Sequence, residues 1–144
     1  MKRKYNLLLL GFFALFLVML YGCGDISGTV FNVSGSAVKV SRMKLSDNGS
    51  LKIFSGGSIE SIPLESIESM TLFSDDAMTI NGEFCFLADI VMNNGSRKLP
   101  VDTLRGKQSQ TFVPINQTIT GMSHKGSFSA DLSGITKITI NHKK

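Results

Sequence analysis

From Thr29 onward the chain holds no ten-residue stretch in which apolar residues recur at helical spacing; they alternate with polar residues in short runs cut by Asn-Gly and Gly-Gly pairs. Successive side chains of a strand point to opposite faces, so alternation places the apolar residues on one face. Asn-Gly supplies the positive φ angles of a tight hairpin turn. A chain patterned this way buries its apolar residues by laying strand faces together. The expected fold is all-β, either a β-sandwich or a small partly closed barrel.

Taken in order, Thr29 to Val33 opens the first strand and Ser34-Gly35-Ser36 turns it. Val38, Val40, Met43 and Leu45 alternate with a one-residue slip near Ser41-Arg42, which predicts a bulge. Asp47-Asn48-Gly49-Ser50 predicts a hairpin, and Gly56-Gly57 turns the strand that follows, Leu51 to Phe54. Ile59 to Leu64 reads as extended, and Pro63 puts it at an edge or at a strand end. The spacing Leu64-x-x-Ile67-x-x-Met70-x-Leu72 predicts a corner or single helical turn at Glu65-Ser66 between two strands. Asp75-Asp76 reads as a loop, and Asn81-Gly82 and Asn93-Asn94-Gly95-Ser96 as turns. Phe84 to Met92 is the longest strand, apolar on both faces and therefore central. Its exception, Asp89, requires a rim position or a basic partner.

Two landmarks recur in order, which suggests two duplicated β units. Asn48-Gly49-Ser50 matches Asn94-Gly95-Ser96, and the Leu64 to Leu72 pattern matches Leu132-x-x-Ile135-x-x-Ile138-x-Ile140. On this alignment the second unit carries a long insertion, because the stretch from Asn94 to Leu132 is more than twice that from Asn48 to Leu64. The insertion holds a loop around Leu104 to Gln110 and a strand pair near Thr111 to Gly121.

The stretch from Met1 to Asp25 has a different character. Lys2, Arg3 and Lys4 precede an apolar run from Leu7 to Tyr21, and Gly22, Cys23 and Gly24 follow. That is the order of a secretory signal. The fifteen residues of this run reach about 22 Å as a helix, short of the roughly 30 Å of bilayer hydrocarbon. Leu20-Tyr21-Gly22-Cys23 resembles the lipobox of bacterial lipoproteins, with Tyr21 where that family mostly has a small residue. The resemblance implies that Cys23 is acylated and becomes the first residue of the mature chain, held in the membrane by its acyl groups. Gly24 after it implies the outer membrane in a Gram-negative cell. The expected organisation is a signal peptide over 1–22, a lipidated start and short linker over 23–28, one β domain over 29–141 and a polar tail over 142–144.

Removing 1–22 leaves a chain long enough for one domain, with twelve basic against eleven acidic residues. That balance gives no footprint for nucleic acid. Tyr5 and Tyr21 both lie in the signal and the chain has no Trp, so sugar or base stacking platforms are disfavoured. Cys85, in Phe84-Cys85-Phe86-Leu87, is expected to be a buried thiol.

Glu65, Glu68, Asp75 and Asp76 are the nearest thing to a carboxylate cluster and carry the alternative reading, a hydrolase of an envelope polymer. They lack the spacing of a calcium loop. His124 and His142 belong to no zinc-binding set. No catalytic residue, metal site or cofactor is assigned. Arg97, Lys98, Arg105 and Lys107 form a basic group around the expected insertion, suited to anionic envelope lipid or an acidic envelope protein. A small-ligand or lipid carrier is the third reading. The leading expectation is a lipid-anchored envelope protein whose β domain works by contact and not by catalysis.

Overall fold

The computed structural model describes residues 24–46, 49–98 and 110–142. The signal segment with Cys23, the Asp47-Asn48 pair, Arg105, Lys107 and the last two residues lie outside them. Among the described residues there are eleven strands: β1 (Ser27–Asn32), β2 (Ala37–Leu45), β3 (Ser50–Ser55), β4 (Ser58–Pro63), β5 (Ile67–Ile80), β6 (Glu83–Met92), β7 (Arg97–Lys98), β8 (Thr111–Pro114), β9 (Thr118–Ser123), β10 (Gly126–Asp131) and β11 (Ile135–Asn141). They form one antiparallel sheet in the order β10-β9-β2-β1-β11-β5-β6-β8-β3-β4, with β7 extending the β8 side of β6. The sheet curls into a half-barrel, not a two-sheet sandwich.

Alternation drives the curl. Inward residues of every long strand, among them Val30, Val40, Leu51, Ile53, Met70, Ile90, Val113, Ile119 and Ile138, pack into one buried core. The ring formed by Leu45, Leu51, Leu64, Ile67, Met70, Ile119 and Ile138 leaves no room for a water molecule.

The local predictions fare well. The slip in β2 is a register shift between Ser41 and Lys44, with Arg42 at φ 53°. The corner before β5 is a 3₁₀ turn over Leu64–Ser66, and β4 is a sheet edge that ends at Pro63. Asn81 and Gly82, at φ 50° and 82°, make the two-residue turn between β5 and β6. Cys85 is fully buried, and β6 is central.

Four expectations are corrected. β6 is not the longest strand, since β5 runs for 14 residues against its 10. Asp75-Asp76 is not a loop: both lie inside β5, at a register shift between Phe73 and Ala77 that lets the strand continue to Ile80. The chain around Gly49 does not join a hairpin, because β2 pairs with β1 and β9 while β3 pairs with β4 and β8. Thr111 to Gly121 supplies β8 and the start of β9, and these belong to separate halves of the sheet.

The internal repeat is real in the fold but is aligned differently. The hairpin β3-β4, its 3₁₀ turn and β5 recur as β9-β10, a 3₁₀ turn over Leu132–Gly134 and β11, all displaced along the chain by the separation of Leu64 from Leu132. Both hairpins use six cross-strand partners in the same register. The turn-plus-strand landmark is therefore correct, whereas Asn94-Gly95 corresponds to Ser34-Gly35 and not to Asn48-Gly49. β1 and the start of β2 recur as β6 and β7, displaced by the shorter separation of Val30 from Ile90. Val30 opposite Ile138 repeats as Ile90 opposite Met70, and both strand pairs slip register one step further on. The extra chain lies between Lys98 and Thr111, where an insertion was expected. It is much shorter than expected, because the separation of Leu64 from Leu132 only slightly exceeds that of Val38 from Lys98. The two repeats are interleaved. β1-β2 sits between β11 and β9, and β6-β8 sits between β5 and β3.

Candidate functional site

The basic group is the first sequence-derived candidate. Arg97 and Lys98 are neighbours on β7, so their side chains leave on opposite faces. Arg97 pairs with Asp89, the partner that the β6 pattern required. Lys98 Nζ donates to Glu60 Oε2 at 2.7 Å on the inner side, at the barrel mouth. Both cations are therefore matched by carboxylates. Asp89 Oδ1 is left buried without a hydrogen bond.

The four acids do not converge. Glu65 sits on the 3₁₀ turn and Glu68 begins β5, whereas Asp75 and Asp76 lie far along the same strand. Seven strand residues from Glu68 to Asp75 span on the order of 20 Å, and Glu68, Asp75 and Asp76 are exposed along with Glu65. Paired glycosidase carboxylates sit about 5–10 Å apart. Among the described residues no three His, Cys, Asp or Glu side chains gather as a metal site. His124 is exposed in the β9-β10 turn, and the ring of His142 lies 2.9 Å from the Ile67 carbonyl oxygen.

A different feature stands out on the outer face, where sequence reasoning gave no site. Phe73 lies opposite Leu87, Leu87 opposite Phe112, Phe112 opposite Phe54, and Phe54 opposite Ile59. One apolar row thus crosses five adjacent strands, from β5 to β4. Its centre, Phe54, Leu87 and Phe112, joins Cys85 in a second small core, with Ile80 against it. Its ends are open, since Phe73 is 38% and Ile59 58% exposed, and Met78 beside the row is exposed as well. The Lys52 ammonium stands 5.4 Å from the Phe54 ring centre and donates to Glu83 at 2.6 Å. Between the Gly56-Gly57 turn and the β5-β6 tip, Phe54, Phe112, Ile59 and Ile80 line an open groove of about 390 Å³.

The repeat supplies an internal comparison. The positions that correspond to Phe73, Leu87, Phe112, Phe54 and Ile59 are Asn141, Ser27, Ser41, Met122 and Ser127. They form the same row across their strands, with Ser27 and Ser41 one step beyond the Gly28–Val40 pair. Four of these five are polar, although the inner face is apolar in both halves. The fold therefore does not require an apolar outer row. The signal was present in the sequence as the two-faced apolar pattern of β6, but it pointed equally well to a strand buried on both sides.

Burial pushes the Cys85 thiol above its ordinary value of 9.0, and the Glu83 carboxylate adds to the rise. The sulfur donates weakly to the Glu83 carbonyl at 3.4 Å. These surroundings make the thiol inert, not nucleophilic.

No protein-family model matches this chain, and no curated protein is significantly similar to it.

Proposed function

We propose that this chain is a bacterial envelope lipoprotein, held in the membrane through acylated Cys23, whose β domain works by contact with another envelope component. The observation that carries the contact reading is the apolar row from Phe73 to Ile59, open at both ends and absent from the repeated half. Exposed apolar surface has a free-energy cost in water that association removes. The ring of core residues from Leu45 to Ile138 has no room for a ligand, which speaks against a carrier that encloses one there, and the dispersed acids speak against the hydrolase.

Two measurements test the proposal. Metabolic labelling with a clickable fatty acid is expected to mark the wild type and send it to the membrane fraction, with both results lost in Cys23→Ser. A photocrosslinking amino acid at position 59 or 73 is expected to capture one discrete envelope protein, with none captured from position 127. Label retained by Cys23→Ser overturns the anchor, and equal capture from all three positions overturns the contact reading.

A further inference from the structure

We propose that the outer face of β9, β2, β1 and β11 lies flat against anionic lipid headgroups, so that its lysines and the acyl anchor hold the same membrane surface. This inference rests on the anchor reading and adds the orientation in which the anchored domain sits.

The two halves of the sheet carry opposite charge. In the half built from β3 to β8, the cations Lys52, Arg97 and Lys98 are each matched by a carboxylate. Glu68, Asp75 and Asp76 are left over there and exposed. The other half holds Lys39, Arg42, Lys44 and Lys137 on its strands against one acid, Asp131 on β10. Lys39, Lys44 and Lys137 are exposed and form no ion pair among the described residues. All three leave on the outer face, because their neighbours Val38, Val40, Met43, Leu45 and Ile138 pack into the core. Lys39 lies opposite Thr29, Lys137 opposite Phe31 and Lys44 opposite Thr120. On that register Lys44 and Lys137 each stand about 12 Å from Lys39. The positions between them, Thr29, Ser41, Met122 and Thr139, are uncharged, and β1, β2, β9 and β11 carry no acid.

The anchor enters beside this face. Met43 N–H donates to the Ile26 carbonyl at 2.8 Å, and Arg42 Nε lies 3.7 Å from Asp25. The chain coming from Cys23 is thus pinned to the bulge of β2, between Lys39 and Lys44. The stretch from Cys23 to Ile26 spans at most about 11 Å. Attraction to an anionic surface fades over a Debye length of roughly 8–10 Å, so the anchor itself brings these lysines within its range. A basic patch added to acyl chains strengthens membrane attachment. Charge also selects the orientation. At the Ser27 end of the strands Asp25, Glu65 and Glu68 are exposed acids close to the anchor, so a domain standing on that end gains no net attraction. Laid on the outer face of β9 to β11, it presents lysines and uncharged residues alone.

The test uses the full-length protein, carried from cell membranes into nanodiscs with a dansyl acceptor at headgroup level. The chain has no tryptophan, so Met122→Trp places a single donor among the lysines. Energy transfer is expected to be at least twofold higher in discs of phosphatidylglycerol and phosphatidylcholine than in phosphatidylcholine alone, with the difference lost in high salt. Adding Lys39→Gln, Lys44→Gln and Lys137→Gln is expected to abolish the difference, and an unchanged thermal melt shows that this variant is folded. Lys52→Gln with Lys98→Gln, which removes cations already matched by carboxylates, leaves the difference in place. Equal transfer in both discs, or a triple variant that behaves like its parent, overturns the inference. It is also overturned if a photocrosslinking residue at position 39 captures an acidic protein in cells, since the occupant is then that protein. The fatty-acid label reads the anchor separately. Labelled protein with equal transfer sinks the orientation alone, whereas unlabelled protein sinks the anchor reading beneath it.

Discussion

Met70 on β5 and Ile138 on β11 lie directly opposite each other, and each is the other's counterpart in the repeat. The neighbouring pairs, Ser69 with Thr139 and Thr71 with Lys137, exchange under the same shift that carries Leu64 onto Leu132. A pseudo-two-fold axis therefore passes through this one pair. Around it the sheet halves have a crossed composition, because each repeat lends its leading strands to the other.

Cutting the chain at Asn81-Gly82 leaves one whole repeat on each fragment, yet neither fragment holds a complete half-sheet. We expect each fragment alone to lack protected amides or to self-associate, and an equimolar mixture to regain the amide protection of the intact protein. Two independently folded monomeric fragments would show that the crossed pairing is wrong.

Gln117 is a buried polar residue whose side chain completes the sheet. Its Oε1 accepts from the Lys52 N–H at 2.8 Å, and its Nε2 donates to the carbonyls of Lys52 and Pro114 at 3.1 and 3.0 Å. Gln117→Ala strands those backbone groups, and a buried group left unsatisfied costs about 1–3 kcal/mol. Chemical denaturation is expected to show a loss of this size, and Gln117→Glu a comparable one, since a carboxylate cannot donate to the two carbonyls.

The Lys98–Glu60 ion pair corresponds in the repeat to Val38 and Phe128, both packed against the main core. The ionic side chains are about one-third exposed, which limits their worth to roughly 0–1 kcal/mol. The double replacement Lys98→Val, Glu60→Phe, borrowed from the repeat, is expected to leave stability equal or raised and to remove its salt dependence. A large loss would mean that the ion pair holds the barrel mouth.

For Cys85 the folded pKa is raised above the unfolded value. The stabilisation linked to it is present in full below about pH 9 and is lost as pH climbs through the raised value, because the unfolded thiol ionises first. Stability measured from pH 8 to 10.5 should fall more steeply in the wild type than in Cys85→Ala. Ellman's reagent should react with the native thiol only at the rate of unfolding. Fast labelling of native Cys23→Ser protein, in which Cys85 is the one thiol left, would contradict the burial.

A Cβ at Gly121 would lie 2.5 Å from Val40 Cγ1 and 2.6 Å from the Ser41 carbonyl oxygen, where β2 and β9 meet at the bulge. Gly121→Ala is expected to cost about 1–3 kcal/mol, read from the denaturation midpoint. Gly134→Ala, with open space around it, serves as the near-neutral control.

Local order was legible in this sequence. Alternation, Asn-Gly pairs, the slip at Arg42 and the Leu-x-x-Ile spacing are each set by residues a few positions apart, and they determined the strands, turns, bulge and 3₁₀ corner directly. Partner choice was not legible, because strand edges offer the same backbone donors and acceptors whatever the side chains. Only the packed sheet decided that β2 passes over β3 to reach β9, and that Lys98 meets Glu60. The same holds for the outer row. Phe54, Ile59, Phe73, Leu87 and Phe112 lie on five strands scattered through the chain, and they become one surface only when hydrogen bonding fixes the register between strands.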